Sequence, residues 1–339
     1  MKKRILMLEC GDPSSPHPAH RPRPDDCEFY SGLRELGDFT LLRVPPDLPQ
    51  EDFCRYLEET DIYVYGHHCL KRQIPENLKH YPELVATITG TVVPVVSKTL
   101  IDNGLKVTHW GNAAGKGIGM LGFVQLLVAL HDVPQRIASI KAGGWMPEGI
   151  VGGGLDGLRI GLYGLGAGGR EFVRLLKPFG CRFAYFDPYV QSDDPDLVRL
   201  NSVKEVCAWS QVLAVYAGWT PETEGTITAE CLAQLPDHGI VINPARGELF
   251  DQDALFAEIK SGRLRAALDV LVKDYLAPDD PIRQADNLLI SMHCLLHNVW
   301  NPPAGLTLAE KRCLEEIRRH TAGEPPAWQV TPQAFAKMT

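Results

Sequence analysis

The stretch LRIGLYGLGAGGREFVRLLKPFGCRFAYFDPY, residues 158–189, contains an apolar strand, a glycine-rich turn, an amphipathic helix and a second apolar strand. The turn follows the spacing G-x-G-x-x-G. Between a strand and a helix, this spacing predicts a dinucleotide-binding site rather than a merely structural glycine turn. Gly164 permits the tight turn, Gly166 lets backbone amides approach a pyrophosphate, and Gly169 lets the helix lie close to the strand. The stretch therefore predicts a Rossmann unit.

An acidic residue, Asp187, ends the second strand of this unit. A carboxylate there can accept hydrogen bonds from both ribose hydroxyls of NAD and would repel the 2′-phosphate of NADP. The next four residues, 188–191, include no Arg or Lys that would receive such a phosphate. Ala167 and Gly168 complete the predicted phosphate-binding turn. The sequence therefore predicts NAD as the cofactor.

The size and charge of the chain bound its class. Its 339 residues exceed the length at which one hydrophobic core usually stops growing, so we expect two domains. A net charge of −8 disfavours a protein that binds the phosphates of nucleic acid, and favours a small-molecule partner. The apolar run ILML near the N-terminus is too short for a signal peptide, and we find no apolar run of about 18 residues that would span a membrane.

Cysteine use indicates the compartment. The nine cysteines are scattered singly, with no C-x-x-C pair. This pattern is typical of reduced thiols and predicts a cytoplasmic protein rather than a disulfide framework or a zinc ribbon.

Short apolar runs alternate with amphipathic ones along most of the chain, which predicts an α/β fold with parallel sheets. In the first third the predicted strands are RILMLE, FTLLRV, DIYVYG and LVATIT. The segment GKGIGMLGFVQLLVALHDV, residues 115–133, predicts a long helix that is too apolar to have one solvent-facing side. Two interpretations are open: a buried core helix, or a helix that packs against a second subunit and forms a homodimer.

Four further stretches carry a family resemblance: WTPETEGTI, INPARGELFDQDAL, AALDVL and LLISMH. They resemble the D-isomer-specific 2-hydroxyacid dehydrogenases, which include the phosphoglycerate dehydrogenases. The resemblance implies a Rossmann NAD-binding domain at 112–297. It also implies a smaller, flavodoxin-like substrate domain that is discontinuous, at 1–111 plus 298–339.

The resemblance places the catalytic groups on Arg246, Asp274 and His293. Reduction of a 2-keto acid needs a proton at the carbonyl oxygen, and a histidine titrates near neutrality. An acid such as Asp274 would stabilise the imidazolium, and the planar fork of Arg246 suits a substrate carboxylate. Structural alternatives are a turn-capping arginine and a loop carboxylate, the latter because the family usually has Glu where this chain has Asp274.

The resemblance also implies binding residues. Thr220, Ala245 and Asp269 would contact the cofactor, and the backbone amides of Gly90 and Thr91 would bind the substrate carboxylate. For Asp269, a strand-end residue that caps the next turn is the alternative. The departures from the family text surround the substrate: the loop after Thr91 is apolar, Ala167 replaces a usual Arg, and S-M-H replaces T-P-H. We therefore expect a substrate other than the commonest one of the family.

Several alternatives stay open at this point. The same fold serves NAD(H)-sensing interaction proteins with little or no catalysis. His293 and His297 stand four residues apart and could bind zinc, but the position after His293 is a cysteine rather than the Glu of metalloproteases, so we predict no metal and treat His297 as structural. Oxidation of formate or phosphite fits the apolar loop at 89–96 poorly.

The segment GHHCLKR, residues 66–72, is basic. It predicts either a solvated polar loop or a site for a second anionic group of the substrate. The residues concerned are His67, His68, Lys71 and Arg72.

Overall fold

The computed structural model describes residues 2–13, 21–111, 113–145, 152–272, 276–291, 293, 305–336 and 338. The chain divides into two compact units. The first unit consists of Met1–Ala113 and His297–Thr339, and the second of Ala114–Leu296. That the first unit binds the substrate and the second binds NAD stays a prediction.

The first unit contains a parallel five-stranded sheet. Its strands are β1 (Arg4–Glu9), β2 (Asp38–Arg43), β3 (Ile62–Tyr65), β4 (Leu84–Thr87) and β5 (Val107–Thr108). They are ordered β2-β1-β3-β4-β5, which is the order of flavodoxin-like sheets. The helices of this unit are Glu28–Leu36, Gln50–Glu58, Lys98–Asp102, Leu308–Thr321 and Pro332–Phe335. The four strands predicted in the first third of the chain are confirmed.

Burial explains why these segments form strands. Every residue of β3 and β4 is buried, as expected for parallel strands covered on both faces.

The helix Leu308–Thr321 begins with a capping box. The Thr307 hydroxyl accepts from the Glu310 amide at 3.1 Å, and the Glu310 carboxylate accepts from the Thr307 amide at 2.7 Å. Two otherwise unpaired amides of the helix end are thereby satisfied.

The second unit contains a parallel seven-stranded sheet. Its strands are β6 (Arg159–Tyr163), β7 (Arg182–Phe186), β8 (Leu197–Arg199), β9 (Val212–Val215), β10 (Ile240–Asn243), β11 (Arg265–Leu268) and β12 (Leu288–Ile290). The order β12-β11-β10-β9-β6-β7-β8 is that of a Rossmann sheet with one further strand. The helices are Ala113–Leu130, Val133–Lys141, Ala167–Leu176, Val203–Trp209, Ala229–Leu232 and Gln252–Lys260. The predicted two-domain α/β fold is confirmed.

The long predicted helix is present as Ala113–Leu130. On one side its glycines pack on the helix that begins at the glycine-rich turn: a Cβ at Gly115 would lie 2.6 Å from Ala167 Cβ, and one at Gly119 would lie 2.6 Å from Glu171 Cβ. On another side Met120 is 44% exposed and Val124 is 37% exposed. The helix is therefore a core helix that also exposes apolar side chains.

Two further findings concern the described part of the chain. None of its helices alone is both long and apolar enough to cross a membrane, although Ala114–Leu130 and Val133–Lys141, bent by 51°, meet the length and composition test when taken together. The eight cysteines that are described are all thiols rather than disulfides. Cys294, the ninth, lies outside the described residues.

Candidate active site

The glycine-rich turn joins β6 to the helix Ala167–Leu176. Gly164 has a φ of +93°, and a Cβ there would lie 2.5 Å from the Ala217 amide nitrogen. A Cβ at Gly169 would lie 2.7 Å from the Gly164 carbonyl oxygen, whereas one at Gly166 would meet no atom within 4 Å. Gly164 and Gly169 thus meet the packing demands that the spacing predicts.

The open space at Gly166 fits a dinucleotide. The first amides of a helix have no intrahelical acceptor, and here they belong to Ala167, Gly168 and Gly169 at the positive end of the helix dipole. A pyrophosphate would accept from these amides where a side chain at 166 would otherwise stand. That these residues contact the cofactor stays a prediction.

An added methyl group should have a different effect at Gly164 than at Gly166. Gly164→Ala should lower the free energy of unfolding by about 1–3 kcal/mol, because it adds both a strained φ and a collision with backbone. Gly166→Ala should cost about 1 kcal/mol or less as an N-cap change, yet should weaken NADH binding by about tenfold or more, the equivalent of about 1.4 kcal/mol. Urea unfolding and NADH fluorescence titration measure the two effects. Equal stability loss in both variants would contradict this assignment.

The carboxylate of Asp187 is buried at the end of β7. Its Oδ2 accepts from the Leu165 amide at 2.8 Å, and its Oδ1 accepts from the Tyr189 and Val190 amides at 2.9 and 3.0 Å. Asp187 therefore binds the glycine-rich turn to the turn after β7. Among the hydrogen bonds of the described residues, three of the roughly four lone-pair positions of a carboxylate are then used, which leaves about one for a ribose hydroxyl.

A cation near this carboxylate was missed by the sequence analysis. The Arg199 guanidinium donates to the backbone oxygen of Asp187 at 3.2 Å. The register of β7 and β8, in which Tyr185 pairs with Arg199, brings it there. No spacing in the sequence signals this contact, because it depends on which strand lies beside β7.

Arg246 follows β10 in a turn that its own neighbours shape. Its Nη1 donates to the Ala245 oxygen at 2.7 Å, and the Asn243 side chain accepts from the Ala245 amide and donates to the Arg246 oxygen. A Cβ at Gly247 would collide with the backbone of Leu271 and Val272. Gly247, which the sequence analysis did not single out, thus lets the arginine turn lie directly against the segment after β11.

His293 stands just after β12, and its backbone is held by Asp269 at the end of β11. The His293 amide donates to the Asp269 oxygen, and the Ser291 hydroxyl donates to the Asp269 carboxylate. His293 has a φ of 59°, in the left-handed region that a non-glycine residue adopts only when its surroundings hold it there. Its side chain is exposed. Asp269 itself is 3% exposed. Through these two hydrogen bonds it organises the turn that carries His293.

The remaining predicted residues of this unit differ in what the structure shows of them. Asp274 and His297 lie outside the described residues. The Thr220 amide donates to the Thr223 hydroxyl at 2.7 Å, in the loop after β9. Ala245 lies in the arginine turn described above.

The predicted carboxylate loop follows β4 in the first unit. Among the described residues, neither the Gly90 amide nor the Thr91 amide donates a hydrogen bond, although the Thr91 oxygen accepts from the Thr89 hydroxyl at 2.7 Å. A Cβ at Gly90 would lie 2.5 Å from Cζ2 of Trp110. Two amides and an indole ring are therefore neighbours here.

The basic segment 66–72 is not a solvated loop throughout. His68 is 3% exposed and lies 3.9 Å from the Glu9 carboxylate. Arg72 donates to the Leu48 and Pro46 oxygens and lies 5.5 Å over the Phe53 ring. Both side chains serve the packing of the first unit, whereas Lys71 is exposed and His67 is half-buried.

Comparison with known proteins identifies this arrangement. A family model described as the NAD-binding domain of the D-isomer specific 2-hydroxyacid dehydrogenases matches residues 123–294, about half of the chain. The chain belongs to that family. The resemblance inferred from the sequence is thus confirmed, and the chain has an NAD(P)-binding domain in its second unit.

Curated relatives of this chain differ in activity. The chain is 25% identical over 265 residues to D-3-phosphoglycerate dehydrogenase of Methanocaldococcus jannaschii, and the match covers 77% of this chain and 50% of the relative. It is 28% identical over 217 residues to glyoxylate reductase/hydroxypyruvate reductase of Mus musculus, which covers 62% of this chain and 66% of the relative. The chain spans half or less of the length of the first two curated relatives that it matches.

Solved structures show the same fold. A D-isomer specific 2-hydroxyacid dehydrogenase from Xanthobacter autotrophicus Py2, in complex with NADPH and MES, superposes with a TM-score of 0.70 at 21% identity. The match covers 99% of this chain and 100% of the other. At this identity the likeness shows the fold alone.

Proposed function

We propose that the protein transfers hydride between NAD(H) and a D-2-hydroxy acid or its 2-keto acid, with His293 as the general acid and base. One observation carries the proposal. The glycine-rich turn, Arg246 and His293 follow β6, β10 and β12, so three stretches far apart in sequence meet at the carboxyl edge of one parallel sheet. Ligands of open α/β sheets bind at this edge.

The chemistry of each group follows from its type. The cofactor supplies the hydride in reduction and accepts it in oxidation. The Arg246 fork binds the substrate carboxylate and polarises the adjacent carbonyl, because two of its N–H groups can pair with two oxygens. His293 donates its proton to the carbonyl oxygen during reduction and removes it from the hydroxyl during oxidation. We assign Asp274 to the imidazolium, and the Gly90 and Thr91 amides to the carboxylate.

We assign NAD rather than NADP on the charge of Asp187. A 2′-phosphate would stand next to a carboxylate that three backbone amides already hold in place. Arg199 supports the opposite choice, since it is a cation beside the same residue. We expect the carboxylate to dominate, because Arg199 donates to the backbone oxygen and is exposed to solvent.

The direct test follows absorbance at 340 nm with NADH or NADPH and a panel of 2-keto acids. The panel includes hydroxypyruvate, glyoxylate and phosphohydroxypyruvate, after the names of the relatives. We expect turnover with NADH and tighter binding of NADH than of NADPH. If none of the acids in the panel is turned over and NADH changes the oligomeric state, the NAD(H)-sensing alternative would be favoured. Tighter binding of NADPH, lost in Arg199→Gln, would overturn the NAD assignment.

We also propose a homodimer through the 115–133 region. Met120 and Val124 of this helix are exposed, and so are Ile137 and Ile140 of the following one, at 50% and 53%. Met120→Lys with Val124→Lys should shift sedimentation at micromolar concentration toward the monomer, because charges replace apolar contacts. Val198→Lys is the matched control, an exposed valine on β8. A wild-type monomer would contradict the proposal.

The scattered thiols support a cytoplasmic location.

A further inference from the structure

Two half-buried rings stand at the carboxyl edge of the first sheet. His67 follows β3 and Trp110 follows β5, and their ring centroids are 6.3 Å apart at an angle of 57° between the ring planes. We call this pair the aromatic wall. The strands carrying it flank β4, which leads into the loop of Gly90 and Thr91.

The aromatic wall touches this loop directly. The indole of Trp110 lies against Gly90, where a Cβ would be 2.5 Å from Cζ2 and 2.7 Å from Nε1. Any side chain at position 90 would displace the ring. A carboxylate bound by the Gly90 and Thr91 amides would therefore have the indole as its neighbour.

Trp110 also contacts the C-terminal part of the chain. Its backbone oxygen accepts from Arg312, whose guanidinium lies 4.3 Å over the ring of Trp328. Gly111, with a φ of +60°, leaves room for that second indole. The position of Trp110 is thus set before any ligand arrives, and preorganisation lowers the cost of binding.

The basic segment at this edge offers a second anionic group fewer cations than its sequence suggests. Arg72 donates to two backbone oxygens, and His68 is buried beside Tyr30 and Glu9. Two of the four basic residues in the segment 66–72 therefore serve the fold. Of the other two, His67 belongs to the aromatic wall and Lys71 is exposed.

We propose that the substrate is a 2-keto or 2-hydroxy acid with an aromatic side chain, which packs on the aromatic wall while its carboxylate binds at Gly90 and Thr91. This inference rests on the proposed function, because it specifies the acid that the same site takes. Aromatic rings attract one another in tilted and offset geometries, beyond the area that they bury. In the neighbouring loop the apolar side chain of Val93 is 36% exposed, whereas Val92, Val95 and Val96 are buried in the core of the unit.

The test compares phenylpyruvate, pyruvate and phosphohydroxypyruvate as substrates with NADH. We expect kcat/KM for phenylpyruvate to exceed that for pyruvate by about 10- to 100-fold. Equal or lower activity on phenylpyruvate than on pyruvate or phosphohydroxypyruvate would overturn the proposal. This comparison uses the wild-type protein, so it does not depend on a variant that folds.

Variants locate the effect. Trp110→Leu should lower kcat/KM for phenylpyruvate by more than it lowers kcat/KM for pyruvate, so that most of the preference is lost, whereas Trp110→Phe should retain the preference. NADH binding should be nearly unchanged in both variants. Trp209→Leu is the matched control, because Trp209 ends the helix before β9 and lies at the amino edge of its sheet. An equal loss for all acids in Trp110→Leu would show a general structural role instead and would overturn the proposal.

Calorimetric titration with phenylpyruvate in the presence of NAD separates this inference from the proposed function. If phenylpyruvate binds and its binding weakens in Trp110→Leu, but no acid is turned over, the catalytic proposal would be wrong and the aromatic wall would remain a binding site. If small keto acids are turned over but phenylpyruvate does not bind detectably, the catalytic proposal would stand and the aromatic-substrate proposal would be wrong.

Discussion

His293→Asn is expected to lower kcat by about 10²- to 10⁴-fold, the range that general acid-base groups contribute. Asparagine is the informative replacement, because it tolerates the left-handed backbone that His293 adopts at φ 59°. The turn anchored by Asp269 should therefore stay in place. NADH binding should be unchanged.

His238→Asn is the control for this variant. His238 has nearly the same backbone conformation, with a φ of 60°, and lies before the amino end of β10. It should retain full activity. If His293→Asn kept more than about a tenth of the wild-type kcat, an effect below the usual range for a proton-transfer group, the catalytic role of His293 would be wrong.

Arg246→Lys is expected to raise KM for the keto acid by about 10- to 100-fold, the equivalent of one charge-assisted hydrogen bond of about 1.5–3 kcal/mol. Lysine keeps the charge but presents a single ammonium point, so it cannot bind two carboxylate oxygens with a planar fork. A fall in kcat should accompany the rise in KM, because the same guanidinium polarises the carbonyl. Steady-state kinetics with varied keto acid at saturating NADH measure both.

Arg159→Lys controls for the loss of a backbone contact. Arg159 donates to the Trp209 oxygen at 2.8 Å, much as Arg246 donates to the Ala245 oxygen, but it lies at the start of β6, away from the carboxyl edge. Unchanged KM in Arg246→Lys, or an equal rise in both variants, would remove Arg246 from the substrate site and favour the turn-capping interpretation.

Local sequence patterns were enough to predict most of the fold. Buried parallel strands are apolar on both faces, so β3 and β4 could be predicted as short apolar runs, and the glycine spacing fixed where β6 turns into a helix. Gly164 and Gly169 were predictable because their constraints arise within a few residues of the chain. The resemblance to the family indicated Arg246 and His293 as site residues, and their catalytic roles stay predictions.

Contacts between distant segments could not be predicted in this way. Arg199 reaches Asp187 through the register of two strands, and Trp110 reaches Gly90 because β5 pairs with β4. His68 and Arg72 belong to a hydrophilic stretch, yet the first is buried and the second is half-buried against backbone oxygens. Polarity along a sequence indicates which groups need partners, and only the fold decides which partners they find.

The hydrogen bonds of Asp187 bear on any redesign of cofactor preference. Exchange of this acidic residue would remove the charge that repels a phosphorylated ribose. Here the same carboxylate ties Leu165 to Tyr189 and Val190, so its removal would leave three buried or half-buried amides to find other acceptors. The cofactor selectivity proposed above and the rigidity of the glycine-rich turn would therefore depend on a single side chain, and an altered preference should come at the expense of thermal tolerance.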